Sequence, residues 1–278
     1  MQEVLKRLRK VPIYGVMIGL VLIWILPVWT SFLVSFKSAE DFVSQKFYEF
    51  PARVAFHENL KKIIDIYKIQ EHIISSLLYS AVGAGIAILF ASMAGYSIVR
   101  LRPKFNFLLF FIIYSGTIFP FQMYLIPVYK MYNTIGLYDT RQGMFLIYAA
   151  ICIPFSLFVY RGYYTTIPRE IEEAAKIDGC GPVRAFFQIF IPNSIAPTAV
   201  VALFQATWIW NDLLFGMILT RIQKIRPIMV ALATMSGYGG GSIPYIMTGV
   251  IIASIPTIAL FIWLRQYFIS GMILSSAA

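Results

Sequence analysis

Charge-free apolar runs cover residues 11–36, 73–99, 105–129, 142–160, 193–211 and 227–264, and nothing else in the 278-residue chain constrains its fold as strongly. A bilayer's hydrocarbon core is crossed by about 20 mostly apolar helical residues, so each run is long enough to span. The fifth extends past Asp212 into a further apolar stretch and is read as 193–219. The last is too long for one helix and is interrupted by Gly237-Tyr238-Gly239-Gly240-Gly241-Ser242, which leaves 243–264 as the final span. With 59% of residues hydrophobic and 13% charged, a soluble fold would have too little polar side chain to cover its surface. The apolar residues come in unbroken blocks rather than the alternation of barrel strands, so the spans are helices. The expectation is an all-α membrane protein forming a single transmembrane domain over 1–278, with six transmembrane helices at about 11–36, 73–99, 105–129, 142–160, 193–219 and 243–264.

The basic start precedes a run too long for a secretory h-region, with no small-residue cleavage site after it, and reads as an uncleaved first helix. Lys6, Arg7, Arg9 and Lys10 beside that helix favour an N-terminus inside, although Arg221, Lys224 and Arg226 then lie outside, against the rule. Cys152 falls within a span and Cys180 in a polar segment, so they are not expected to pair, and no metal site is expected. His57 and His72 are read as solvated. The net charge of +10 is spread over loops on both faces, which suits membrane lipid headgroups better than nucleic acid. Phosphate-loop, zinc-protease, nucleophile-elbow and dinucleotide motifs are all missing, so the chain is not expected to be an enzyme, and energy for active transport has to come from elsewhere. Ala81/Gly85 and Ala91/Gly95 are small pairs at helical spacing and predict close helix packing.

One polar island breaks the apolar pattern at about 168–192. Pro168 suits a first helical turn, and Glu170, Glu172 and Glu173 crowd the end where the helix dipole favours anions. Gly179 suits the left-handed residue that ends a helix, and Pro182 opens a second helical stretch carrying Phe186, Phe187, Ile189 and Phe190. The pattern predicts helix, glycine hinge, helix. Ala174 and Ala175 keep one surface slim enough for a partner's close approach, with Glu173, Lys176 and Asp178 at its rim. A helix lying flat on the membrane is the alternative, but such helices are usually rich in basic residues and this one begins with glutamates.

Glu173-Ala174-Ala175, three residues before Gly179, with Ile191-Pro192 downstream, resembles the EAA loop in the membrane subunits of binding-protein-dependent ABC importers. The matching positions are Glu173, Ala174, Ala175, Asp178, Gly179 and Pro192; Cys180 stands where the family commonly has Ala, and Ile191 where it has Leu. The similarity runs over nearly the whole chain and points to carbohydrate importers of the maltose-permease type. It is carried by Ser35-Phe36-Lys37-Ser38, Phe50-Pro51, Asn59-Leu60, Trp210-Asn211-Asp212, Leu219-Thr220, Ile255-Pro256 and the stretch from Arg265 to Gly271. The ending Leu274-Ser275-Ser276-Ala277-Ala278 departs from the family's usual tail. The resemblance implies the type I ABC importer permease fold in the cytoplasmic (inner) membrane of a prokaryote, with the EAA segment as a coupling helix. It also implies a second homologous permease as heterodimer partner, two cytoplasmic ATPase subunits and an extracytoplasmic substrate-binding protein. No cofactor is then bound by this chain, and ATP and magnesium belong to the partner ATPase. An ion-coupled secondary transporter remains the alternative class, though spans other than the fifth lack the buried ionisable residues such coupling uses; an ABC permease for a non-sugar solute is another.

Within the membrane, Trp208, Trp210, Asn211 and Asp212 combine aromatic faces with hydrogen-bonding groups, the pairing a sugar needs. The competing reading is an interfacial tryptophan belt with a structural aspartate at a helix end. Phe119, Gln122 and Tyr124, in a third helix kinked at Pro120, are further substrate-path candidates. Tyr238, Gly239 and Gly240 are expected either to meet the binding protein or to act as a flexible connector.

Overall fold

A computed structural model describes residues 2–235 and 242–276. Among these the regular structure is helical: α1 (Gln2–Ser35), α2 (Ala39–Ser44), α3 (Phe56–Asp65), α4 (Ile69–Tyr96), α5 (Asn106–Ser115), α6 (Gln122–Ile135), α7 (Arg141–Thr166), α8 (Arg169–Ile177), α9 (Pro182–Ala185), α10 (Ile191–Asn193), α11 (Ile195–Trp210), α12 (Leu214–Leu219), α13 (Ile228–Met235) and α14 (Ile243–Ser276). Among the described residues four helices are long and apolar enough to cross a membrane, Pro12–Ser35, Ile69–Leu101, Arg141–Thr166 and Ile243–Tyr267, and a fifth if the bent pair Pro182–Asn193 and Ile195–Trp210 is one span. The chain divides into two compact units, Met1–Ile69 with Leu232–Ser254, and Gln70–Ala231 with Ile255–Ala278.

In the first unit, buried Asn59 donates to the carbonyls of Ser35 (3.0 Å) and Lys37 (2.9 Å), and Thr248 donates to Ser35 at 3.1 Å. Those bonds satisfy the carbonyls left open where α1 ends. They also explain why the sequence pairs Ser35-Phe36-Lys37-Ser38 with Asn59 across the intervening loop. The Lys37 side chain is fully buried, its ammonium donating to the Lys46 carbonyl at 2.6 Å. The apolar flank of α1 is exposed in this chain, Trp24 by 80% and Val28 by 69%, as for a helix whose surroundings are lipid or another chain.

The second unit holds two apolar cores. Tyr79, Tyr148, Ile209 and Phe215 belong to one, and Tyr96, Tyr160, Tyr164, Phe186 and Phe190 to the other. Glycine decides how closely α4 approaches its neighbours. A Cβ at Gly95 would stand 3.1 Å from Tyr160 Cβ, and one at Gly83 3.1 Å from Tyr148 Cβ. The expected packing pair is thus right for Ala91/Gly95, but Ala81 and Gly85 face outward and Gly83 makes the contact instead. At the far end of α4, the segment 221–226 is strapped down through its backbone. Ser75 and Arg141 donate to the Lys224 carbonyl, Tyr79 to that of Ile225, and the Asp139 carboxylate accepts from the N–H groups of Arg221 and Ile222. His72, expected in solvent, is 3% exposed, with Nδ1 3.0 Å from the Arg226 carbonyl; His57 is exposed.

Two expected spans are not continuous. Residues 105–129 form α5 and α6 with a non-helical break from Gly116 to Phe121. Pro120 therefore does not kink a continuous helix; it sits in the break, directly before Phe121, the N-cap of α6, where its missing N–H breaks no helical hydrogen bond. The fifth breaks after Trp210 and resumes as the short α12. Upstream, Pro182–Asn193 and Ile195–Trp210 meet at 74°, at Ser194. Buried Ser194 donates to the Phe190 carbonyl there and closes the turn.

Candidate functional site

The polar island folds as its residues predict. Pro168 occupies the N-cap of α8, and Glu170 and Glu172 sit in its first turn. Gly179 has φ +76°, a left-handed conformation that costs glycine nothing. With it in place, the Cys180 N–H reaches the Ala175 carbonyl at 2.8 Å and the Gly179 N–H that of Lys176 at 3.0 Å, which together form a Schellman cap. Pro182 then sits in the first turn of α9, and a π-helical turn, Phe186–Phe190, carries the chain to α10.

The two faces of α8 have different work. Ala174, Glu173, Asp178, Gly179 and, further on, Pro192 are exposed, and Ile177 is 87% and Val183 72% exposed, so a slim, partly apolar surface with acidic groups faces outward. Ala175 does not belong to it: only 7% exposed, it packs inward with Glu172 and fastens the helix to the bundle.

That fastening was not foreseen from the sequence. Arg100, in the π-helical turn Ser97–Leu101 that follows α4, has a side chain 4% exposed. Its guanidinium donates to the carbonyls of Tyr164 (2.7 Å) and Ile167 (2.5 Å), lies 3.9 Å from the Glu172 carboxylate, and rests 5.2 Å from the centre of the Phe190 ring. Glu172 pairs in turn with Lys176 at 2.8 Å. Tyr96 donates to the Pro182 carbonyl at 3.1 Å and packs on Phe186 and Phe190. One buried arginine and one tyrosine thus tie the ends of α4 and α7 to both halves of the polar segment. The signal available in the sequence was an arginine closing an otherwise charge-free run; its three carbonyl and carboxylate partners lie 64 to 72 positions away.

Deeper in the same unit are two concavities, of about 420 and 880 Å³, that share Phe121, Phe204 and Trp208 in their walls. Of the residues singled out for a substrate path, Trp208, Asn211 and Asp212 line the larger cavity and Tyr124 the smaller. Trp208 is half-buried, edge-on to Tyr148 and 5.2 Å from the Phe121 ring. Thr207 beside it, and Gln205 in the smaller cavity, add the hydroxyl and amide chemistry that hydroxylated ligands require. Trp210 is 3% exposed and lines neither, while Phe119 and Gln122 are exposed and also line neither. The Asp212 carboxylate is committed to the protein itself: it accepts from Tyr148 OH at 2.9 Å and from the N–H groups of Gly216 (3.0 Å) and Phe215 (3.4 Å), capping α12. Its geometry is that of the structural aspartate at a helix end. Phe121 and Phe204 were missed because an aromatic residue in an apolar run carries no mark of facing a cavity. Tyr238, Gly239 and Gly240 lie outside the described residues.

Comparison with known proteins places this geometry in context. The profile of the family described as "Binding-protein-dependent transport system inner membrane component" matches residues 83–273. The melibiose/raffinose/stachyose import permease protein of Bacillus subtilis is 30% identical over 89% of this chain and 89% of its own length. The osmoprotective compounds uptake permease protein of Synechocystis is 27% identical over 96% of this chain and 92% of its own. Among solved structures, a bacterial ABC transporter that imports the acidic polysaccharide alginate superposes with a TM-score of 0.79 at 21% identity, covering 92% of this chain and 95% of that one.

Proposed function

The chain belongs to the family of binding-protein-dependent transport system inner membrane components, and from that premise we propose that it is the permease subunit of an ATP-driven sugar importer, with an oligosaccharide as substrate. A permease of this family is a membrane transport subunit and is not itself catalytic. It works with ATPase and substrate-binding protein partners. The finer assembly belongs to this proposal: a heterodimer with a homologous permease, two ATPase subunits on the side of α8, N-terminus inside, in the inner membrane of a prokaryote. The substrate class is supported by the relative that imports melibiose, raffinose and stachyose, and by the Trp208 face placed next to Thr207 and Asn211.

The observation that carries the coupling role is the division of α8 into an outward face of Glu173, Ala174 and Asp178 and an inward face pinned through Glu172 and Arg100. A partner cleft that closes on the outward face moves α8 as a body, and the Arg100 and Tyr96 contacts pass the motion to α4 and α7. The equilibrium between inward- and outward-open states shifts accordingly. The test is uptake of raffinose-class galactosides by the intact complex in proteoliposomes. ATP-dependent uptake that Ala174→Arg abolishes, with complex yield and melting unchanged, is the expected result. Uptake that ignores ATP and collapses with an ionophore would overturn the importer reading, and wild-type uptake by Ala174→Arg would overturn the docking role.

A further inference from the structure

A second cluster at the α8 end of the bundle takes no part in that linkage. Arg102 and Arg161 line one cavity of about 250 Å³ together with Asn106 and Thr165. No carboxylate lines it. Among the described residues the ion pairs are Arg53–Glu58, Arg100–Glu172 and Lys176–Glu172, so neither of these two guanidinium groups has a protein counter-charge. The Arg161 side chain is half-buried, with Cζ 4.3 Å from the centre of the Phe110 ring, a contact that uses none of its N–H donors. Arg102 follows the π-helical turn at φ +48°, a left-handed conformation that costs a non-glycine residue about 1 kcal/mol or more. Asn106 accepts the Phe107 N–H at 2.7 Å, so its amide oxygen is turned to the backbone and its NH₂ remains a donor. A cavity offering two forked cations and an amide donor without a carboxylate is a mismatch that an anion corrects, and planar guanidinium forks suit phosphate oxygens.

We propose that this cavity is a binding site for the phosphate of an anionic phospholipid in the leaflet on the α8 side. The mouth argues for a lipid rather than free phosphate: Phe107, in the cavity wall, is 69% exposed, and Leu101 and Phe105, the chain neighbours of Arg102 and Asn106, are 50% and 72% exposed, apolar surface that acyl chains cover and an inorganic ion does not. Basic pockets between membrane helices are the usual receptors for such headgroups. Because Arg161 lies on α7 one turn before Tyr164, whose carbonyl Arg100 holds, an occupied site steadies the helix end to which α8 is fastened.

The test uses the intact transporter, purified with its partner subunits and delipidated in detergent. Phosphatidylglycerol and phosphatidylcholine are titrated in separately and read by native mass spectrometry. The expected result is saturable phosphatidylglycerol binding, weakened about fivefold for each basic side chain removed and hence roughly thirtyfold in Arg102→Gln/Arg161→Gln, with no loss in the exposed control Lys130→Gln. Equal binding of the two lipids, an affinity unchanged in the double variant, or full displacement by millimolar inorganic phosphate would each overturn the proposal, the last by making this a free-anion site. If the double variant does not assemble, Arg102→Gln alone, whose side chain is exposed, has to show the fivefold loss. Sugar uptake is not the readout, so failure here and failure of the importer reading are separate events.

Discussion

Replacing Arg100 by Met tests the linkage between membrane and coupling segment at its narrowest point. The methionine keeps most of the buried stem but removes two hydrogen bonds from a charged donor to the carbonyls of Tyr164 and Ile167. Bonds of that kind contribute about 1.5–3 kcal/mol each. The contact with the buried Phe190 ring adds about 2 kcal/mol, as for a desolvated pair. The Glu172 contact at 3.9 Å adds little, and Glu172 keeps Lys176 at 2.8 Å, so no buried charge is stranded. Water reaching the freed carbonyls at the end of α7 offsets part of the loss, leaving about 3 kcal/mol, a factor of roughly 150. Amide hydrogen exchange in the intact complex is the assay, since it reads local opening separately from global unfolding. Exchange across α8 is expected to quicken by roughly two orders of magnitude, while α11 stays as protected as in the parent and ATP hydrolysis continues without matching uptake. Exchange in α8 within twofold of the parent, or an acceleration shared equally by α11, would refute the reasoning.

Three other changes test separate contacts. Gly179→Ala meets nothing within 4 Å, so its cost is the left-handed backbone alone, about 1–2 kcal/mol; uptake per assembled complex should fall, and Gly179→Asn, which tolerates that conformation, should restore most of it. Asp212→Ala removes the cap of α12 and strands Tyr148 OH, for a loss of about 2–4 kcal/mol seen as a lower melting midpoint. Asp212→Asn retains an acceptor and should cost under about 1 kcal/mol; uptake abolished by Asn with melting unchanged would instead assign the carboxylate to substrate. Gly143→Ala would place Cβ 2.3 Å from the Leu137 carbonyl oxygen, which is backbone and cannot swing aside. Overpacking of this kind should cost about 3 kcal/mol and reduce the yield of folded chain, whereas Gly85→Ala, with nothing within 4 Å, should be silent.

The polar segment could be read from the sequence in unusual detail because each of its signals is local. Proline at a first turn, acidic residues at an N-terminus and glycine at a left-handed cap act over three or four residues, and they needed no knowledge of what lies opposite. The reading went astray where a residue's role depends on its direction. Ala174 and Ala175 are chemically alike, and only the register of α8 against the bundle turns one outward and the other in. For Asp212 the sequence leaves a substrate path and a structural aspartate at a helix end both open; the residue lines the larger cavity, but its carboxylate hydrogen-bonds Tyr148, 64 positions earlier, and the start of α12, partners that no local pattern reveals.

What the sequence alone determined was the class: long charge-free runs leave helices crossing a bilayer as the one way to satisfy backbone and side chains together. Tertiary structure decided which residues fasten α8 to the bundle and which line the cavities. Arg100 finds its carbonyls, Trp208 its cavity walls and Arg161 its aromatic shelf through segments tens of residues apart, and burial, unlike helix periodicity, leaves no mark on a run in which every position is apolar.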